Sequence, residues 1–332
     1  MQADAVAAPV GDLALLVERA GARDAHAVAR LVSVFQDRRP EAVPRRAEAI
    51  RLLDDRPQTR ATAPVIGVTG TPGSGKSSLL GRIAIDLLDG DPHLSVAVLA
   101  IDPSSKVSGG ALLGDRTRLQ MGRVDHRLFF RSEASDSELG GLSPSSFQVC
   151  RLLTRLFDVV FVETVGIGQS EADVRALAEH VYLVIAPLGG DEVQYLKAGI
   201  IEIPDAFIVN KCDERAADAA FNQLKASLWM ARPFDADDLP VHRTSAKSGA
   251  GLPELTAAIT GLIATAHPAP ADLARRDAHF FQRWVQDEWG RSGVRHLLTH
   301  AGGAQRFISA ANGFDEAQGA FSEQFAAALR GA

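Results

Sequence analysis

Cysteine is nearly missing from this chain: Cys150 and Cys212 are the only two in 332 residues. Two thiols cannot build a disulfide framework or, by themselves, a metal cluster, so both are expected to be reduced. Long apolar runs are missing as well. No stretch approaches the roughly 18 uninterrupted apolar residues of a membrane span, and Met1 to Gly11 carries no Lys or Arg. Neither a transmembrane helix nor a signal peptide is expected, and a cytoplasmic protein follows. The third absence is an excess of positive charge. With 35 Lys and Arg against 41 Asp and Glu, the net charge is −6, which gives no global basic field for nucleic acid or an anionic membrane.

What is present begins with Gly70-Thr71-Pro72-Gly73-Ser74-Gly75-Lys76-Ser77, a G-x-x-x-x-G-K-[ST] phosphate loop. The apolar run Val65-Ile66-Gly67-Val68 precedes it and Ser78-Leu79-Leu80 opens a helical pattern after it, the context this motif needs. Glycines let successive backbone N–H groups turn inward around phosphate oxygens. Lys76 supplies a cation for the β- and γ-phosphates and Ser77 a hydroxyl for Mg²⁺.

Base choice rests on Asn210-Lys211-Cys212-Asp213 after the apolar run Phe207-Ile208-Val209, an N-K-x-D pattern. An aspartate accepts from guanine N1–H and the exocyclic amine, whereas adenine presents an unprotonated N1 and no such amine. Asp213 therefore selects GTP over ATP, Lys211 is expected over the base, and Asn210 is expected to tie the loop together. Thr244-Ser245-Ala246-Lys247 suits the companion loop, in which the Ala246 N–H can donate to guanine O6. On the γ-phosphate side, Asp102 ends one apolar run, Glu163 ends another, and Asp115 lies in Gly114-Asp115-Arg116-Thr117-Arg118. Carboxylates at strand ends beside a phosphate loop are what a hard cation requires, as ligands or through bound water.

Short β-branched runs at 65–69, 95–101, 128–131, 158–163, 181–186, 206–209 and 241–244 alternate with helical patterns. This predicts an α/β fold of the P-loop NTPase type, with a largely parallel sheet flanked by helices and the motifs at its carboxyl edge. Val28, Leu31, Val32 and Phe35 fall at i, i+3, i+4, i+7 and predict an N-terminal helical extension over 1–61. The nucleotide domain is expected over 62–266. Beyond the linker His267-Pro268-Ala269-Pro270-Ala271, the Phe, Trp and Leu spacing predicts a C-terminal helical arm over 267–332 that dimerises the chain.

Several stretches together resemble the MeaB/MMAA/ArgK family, SIMIBI-class GTPases that act as chaperones for adenosylcobalamin-dependent acyl-CoA mutases. They are Val98 to Ser105, Ser108-Gly109-Gly110, Leu113 to Arg118, Val162 to Glu171 and Gly190-Asp191-Glu192-Val193-Gln194. The likeness runs from about residue 12 to residue 255 and is most specific over 68–213. It implies bound GTP or GDP, Mg²⁺ held around Ser77, Asp102 and Glu163, and Asp115 in switch I. It further implies Gly166 to Glu171 as switch II, Asp191 to Lys197 as a loop relaying nucleotide state to the mutase, and a homodimer. Lys106-Val107 stands where relatives commonly have Pro-Phe, and Tyr195 and Leu196 occupy a variable part of the relay loop; both bear on which mutase is served. Ile167 follows Gly166 where a Ras-like protein keeps a water-orienting glutamine, so intrinsic hydrolysis is expected to be slow.

Three other functions compete. A metallochaperone GTPase would need a Cys/His site, and the sequence has no C-x-x-C or His-rich tract. An ATPase or kinase serving amino-acid transport conflicts with Asp213 and Ala246. A nucleotide-binding adaptor without turnover differs from a GTPase in releasing no phosphate.

Overall fold

The computed structural model describes residues 10–56, 62–102, 125–134, 142–164, 170–187 and 201–330. The chain divides into two compact units: Thr62–Ser143 with Phe157–Pro268, and Met1–Ala61 with Pro144–Leu156 and Ala269–Ala332. No helix among the described residues is long and apolar enough to cross a membrane.

The first unit is built on seven parallel strands: β1 (Val65–Gly70), β2 (Val96–Asp102), β3 (Leu128–Ala134), β4 (Val159–Thr164), β5 (His180–Ile185), β6 (Ala206–Val209) and β7 (Val241–Arg243). Their order is β3-β2-β4-β1-β5-β6-β7, and every pairing is parallel. All seven predicted runs are strands. Strands β1 and β4 read VIGVTG and VVFVET and are buried throughout, as expected where helices cover both faces of a parallel sheet.

One face packs under α4 (Lys76–Gly90) and the helix Leu252–Thr265, here α8. Leu79, Leu80, Ile83 and Leu87 of the first and Leu255 and Ile259 of the second meet Ile66, Val68, Phe161 and Val184. The other face holds Leu183, Ile185, Phe207 and Val209 against Leu224 and Leu228 of α7 (Ala217–Ala231). Helix α6 (Ser170–Leu177) connects β4 to β5. From β1 the chain goes outward to β2 and β3, returns to β4 beside β1, and only then crosses to β5 on the other flank. The carboxyl end of β1 thus lies at a topological switch point, where open α/β sheets bind ligands.

The second unit is helical: α1 (Val10–Gly21), α2 (Ala25–Gln36), α3 (Ala42–Asp54), α5 (Pro144–Leu156), α9 (Pro270–Thr299), α10 (Ala304–Ala310) and α11 (Phe314–Arg330). Helix α9 is interrupted at Gly290, whose φ of 61° and ψ of −157° leave the helical region. Val28, Leu31, Val32 and Phe35 are all buried, the face that their spacing predicted. Asp24 caps α2 by accepting from the N–H groups of His26 and Ala27, both at 3.0 Å. The aromatic residues pack on one another: Phe147 stacks on Phe280 at 4.2 Å, and Phe281 meets the edges of Phe314 and Phe321 at 5.6 and 6.1 Å.

A buried polar cluster joins the three parts of this unit that are far apart in sequence. Asp315 of α11 accepts from Arg46 Nε of α3 at 3.0 Å, from Gln148 Nε2 of α5 at 3.0 Å and from Arg151 Nη1 at 2.9 Å. Gln318 accepts from Arg46 Nη2 at 2.9 Å. Burial alone would raise the Asp315 carboxyl, but Arg151 and Arg46 outweigh it and hold the group below its ordinary value of 3.8. The ionised Asp315 in this cluster is therefore fully stabilising above pH 3.8, and its contribution is lost as pH falls through the lower folded value. Removing one partner leaves the others charged in a dry interior. Asp315→Ala should lower unfolding free energy by about 3–5 kcal/mol, read as a fall in the urea midpoint at pH 7; a loss below about 1 kcal/mol would mean that water reaches the cluster.

Candidate nucleotide site

The phosphate loop lies between β1 and α4. Gly70 ends the strand with φ 142°, and a Cβ there would come within 2.0 Å of the Val184 carbonyl oxygen. Gly75, at φ 85°, precedes the first turn of α4, and a Cβ there would come within 2.6 Å of Asn210 Nδ2. Both positions therefore need glycine for φ and for room. Ser74 N donates to Thr71 O at 3.2 Å and closes the turn. Pro72, Gly73 and Ser78 are exposed, while Thr71, Ser74 and Lys76 are buried. Lys76 Nζ donates to the carbonyls of Gly70 and Thr71, each at 2.9 Å, which holds the ammonium under the loop. The hydroxyls of Thr71 and Ser74 are buried without a hydrogen-bond partner. Such groups are costly unless a ligand or water satisfies them, and a loop with this glycine-rich phosphate-loop sequence is where a ligand would do so.

The metal side is only partly described. Ser77 Oγ donates to Glu163 Oε1 at 2.6 Å, which joins the start of α4 to the end of β4. A hydroxyl and a buried carboxylate at that distance are a hard-oxygen donor pair, and they fit Mg²⁺ by donor chemistry. Asp102 is the last residue of β2, and β2 pairs with β4 through Ala100 and Glu163. Its side chain, Asp115, Gly166 to Gln169 and Asp191 to Lys197 lie outside the described residues, as do the side chains of Ser170 and Glu171.

The base side is held together by Asn210. Its Nδ2 donates to Ser74 O at 2.8 Å, and its Oδ1 accepts from Ala246 N at 3.3 Å and Thr244 Oγ1 at 3.4 Å. One side chain thereby links the phosphate loop to both base loops. Lys211 takes a left-handed conformation at φ 57°, and the Cys212 N–H donates to Thr244 O at 2.8 Å. A hydrogen bond from Ser245, one from its own backbone N–H and the charge of Lys247 hold Asp213 below the usual carboxylate range. Asp213 stays ionised and acceptor-only at neutral pH, the state that guanine requires. Ser245 Oγ accepts from the Ser248 N–H at 3.0 Å, so its one proton is left for Asp213.

The sequence-predicted residues Gly70 to Ser78, Glu163, Asn210, Lys211, Asp213, Ser245, Ala246 and Lys247 are thus all described at the carboxyl edge of one sheet. Sequence reasoning missed Thr244 and Ser248 as supports of Asn210 and Ser245. Their signal, a hydroxyl and a backbone N–H flanking Ser-Ala-Lys, is too common to single out.

Residues 28–292 match the model of the family described as Methylmalonyl Co-A mutase-associated GTPase MeaB. A Pyrococcus abyssi protein named provisionally as a GTPase is 42% identical over 214 residues, covering 64% of this chain and 63% of its own length. The chain thus spans a little under two thirds of that relative. The protein named GTPase ArgK of Escherichia coli is 33% identical over 240 residues, 71% of this chain and 72% of its own. A solved structure titled LAO/AO transport system kinase is 24% identical with a TM-score of 0.61, covering 92% of each chain, a likeness of fold. With a phosphate loop, a guanine loop and the Ser77–Glu163 pair in register on one sheet edge, the chain belongs to the GTPase family described as Methylmalonyl Co-A mutase-associated GTPase MeaB.

Proposed function

We propose that this chain binds and hydrolyses GTP and uses the cycle to gate cobalamin loading, protection and reactivation of an adenosylcobalamin-dependent acyl-CoA mutase. The observation that carries the nucleotide part is the Asn210 bridge, because it sets base recognition by Asp213 and phosphate binding by Lys76 at a fixed separation. Lys76 would exchange its carbonyl partners for β- and γ-phosphate oxygens, and the N–H groups of the Gly73 to Ser77 turn would hold the phosphate chain. Ser77, Asp102 and Glu163 would hold Mg²⁺. The ion, when bound, neutralises charge developing on the transferred phosphoryl oxygens. Guanine would rest under Lys211 with Asp213 accepting its two N–H donors.

The mutase part rests on the family's description and on the resemblance of Gly190 to Gln194. Asp191→Ala or Lys197→Ala should leave GTP affinity within a few-fold of wild type, neither residue belonging to the phosphate or guanine motifs, yet remove stimulation of hydrolysis by the mutase. Phosphate release with and without an acyl-CoA mutase from the same organism tests this. A wild-type rate that no such mutase alters would end the proposal.

The dimer proposed through 267–332 must use surface that the helical unit leaves open. Its Phe281, Phe314 and Phe321 are buried within the unit, whereas Leu298 and Leu329 are 55% and 57% exposed. Sedimentation should give a dimer at micromolar concentration. The double change Leu298→Glu with Leu329→Glu should give a monomer that still binds GTP.

A further inference from the structure

We propose that the exposed end of α7 and the turn after it, Trp229 to Asp238, form a docking face for a basic, apolar segment of a protein partner. The identity of that partner rests on the reading above: it is the acyl-CoA mutase. Among the described residues six large hydrophobic side chains are exposed, and three of them fall between Trp229 and Phe234. Phe234 is 100% exposed, Met230 82% and Trp229 51%. Scattered single residues of this kind are ordinary, whereas a run of them marks a surface that another molecule covers. Aromatic residues and Met are also the types enriched in interfaces. The rest of the helix agrees. Beyond Asp218, the exposed positions of α7 are Ala219, Asn222, Gln223, Ala226, Trp229 and Met230, none of them charged.

The turn that presents Phe234 is held from beneath. Ala236 and Leu239 are buried in the core that also holds Leu224 and Leu228. Arg232 pairs with Asp235 and donates from Nη1 to Pro204 O at 3.0 Å, and the Asp238 N–H donates to Asp235 O at 3.0 Å. A ring projected by an anchored turn loses less freedom on binding than one on a loose loop. Charge then selects the occupant. Asp237 and Asp238 are exposed and have no ion-pair partner among the described residues. Arg232 is already paired with Asp235, and Lys225 lies half-buried a turn before Trp229, so the edge beyond Phe234 is acidic. Such an edge repels an anionic membrane and nucleic acid. A second copy meeting the face about a two-fold axis would bring like carboxylates together. An apolar segment flanked by Lys or Arg matches both the side chains and the charges.

The topology separates docking from nucleotide binding. Strands β6 and β7 are parallel, so α7 must carry the chain from the guanine loop at the carboxyl edge of the sheet back to the amino edge. Trp229 to Phe234 therefore lie at the edge opposite the nucleotide, and a partner seated there leaves the nucleotide site open. This face sets how much mutase is needed for half-saturation. What the bound mutase does to hydrolysis is set elsewhere.

The test follows phosphate release by the full chain, with GTP and Mg²⁺, as an acyl-CoA mutase from the same organism is titrated in. The double change Met230→Ser with Phe234→Ser should raise the half-saturating mutase concentration about ten-fold or more. Asp237→Lys with Asp238→Lys should raise it about five-fold at low salt and much less at about 0.5 M salt, where exposed charges are screened. Turnover without mutase, and the maximal rate at saturating mutase, should match wild type in both variants; the former also reports an intact fold. Wild-type half-saturation in both variants, or a lowered maximal rate at unchanged half-saturation, would overturn the proposal. So would a wild-type dimer that the serine variant turns into a monomer, or flotation of the wild type with phosphatidylserine vesicles that the serine variant abolishes. A wild type that no mutase stimulates or binds ends the mutase reading itself and this proposal with it, an outcome seen before any variant is made.

Discussion

Asp213→Asn should reverse the base preference of this protein, weakening GTP and admitting xanthosine triphosphate. The wild-type carboxylate is ionised, held by Ser245 and its own backbone N–H, and can only accept. Guanine offers two donors to it, N1–H and the exocyclic amine. An asparagine accepts at one atom and donates at the other, which matches xanthine N1–H and its C2 carbonyl and mismatches guanine by one donor facing another. Sites built to pair a polar edge reject the wrong edge by about 10⁴-fold, so the ratio of xanthosine to guanosine triphosphate affinity should rise by about that factor. The Asn210 bridge to Ser74 and Ala246 does not involve Asp213, so the phosphate end should be unaltered. Calorimetric titration with both nucleotides measures the ratio. An unchanged ratio, or equal wild-type affinity for ATP and GTP, would show that the base is not read by Asp213.

Much of this site was legible because its chemistry depends on residues adjacent in sequence. The eight residues from Gly70 to Ser77 carry their own turn, and the strand before and helix after were marked by a change from continuous apolar to helical spacing. The seven strands were legible for the same reason: a parallel strand buried on both faces is a short apolar run, as in VVFVET. Long-range partnerships were less visible. Nothing in Ser74 or Asn210 alone announces a bond across 136 positions, although the N-K-x-D pattern implied some tie. Helix α5 is the clearest case. Its neighbours in sequence are strands of the nucleotide unit, yet its Gln148 and Arg151 join Asp315 and Arg46 in the helical unit. A helical pattern reveals an apolar face but not which distant helix will cover it.

Lys76→Ala should nearly abolish hydrolysis while leaving the fold intact. The ammonium is buried beneath the loop with two backbone carbonyls as partners, so its charge acts in a site where water screens little. Phosphoryl transfer spreads negative charge over the γ-phosphate oxygens, and a fixed cation there contributes more in the transition state than in the ground state. Removal of one such preorganised group costs about 10²–10³-fold in turnover, and loss of a full charge places Lys76→Ala at the upper end. Lys76→Arg should not rescue it, because a planar guanidinium cannot occupy the point position under Gly70 and Thr71. Stability should change little, since the Nζ bonds to the Gly70 and Thr71 carbonyls lie within one loop and such bonds are worth about 1 kcal/mol each. Phosphate release at saturating GTP and Mg²⁺, with thermal melting alongside, separates the two effects. Turnover within a few-fold of wild type would place the phosphates elsewhere, whereas a collapse in melting temperature would make Lys76 a structural support of the loop.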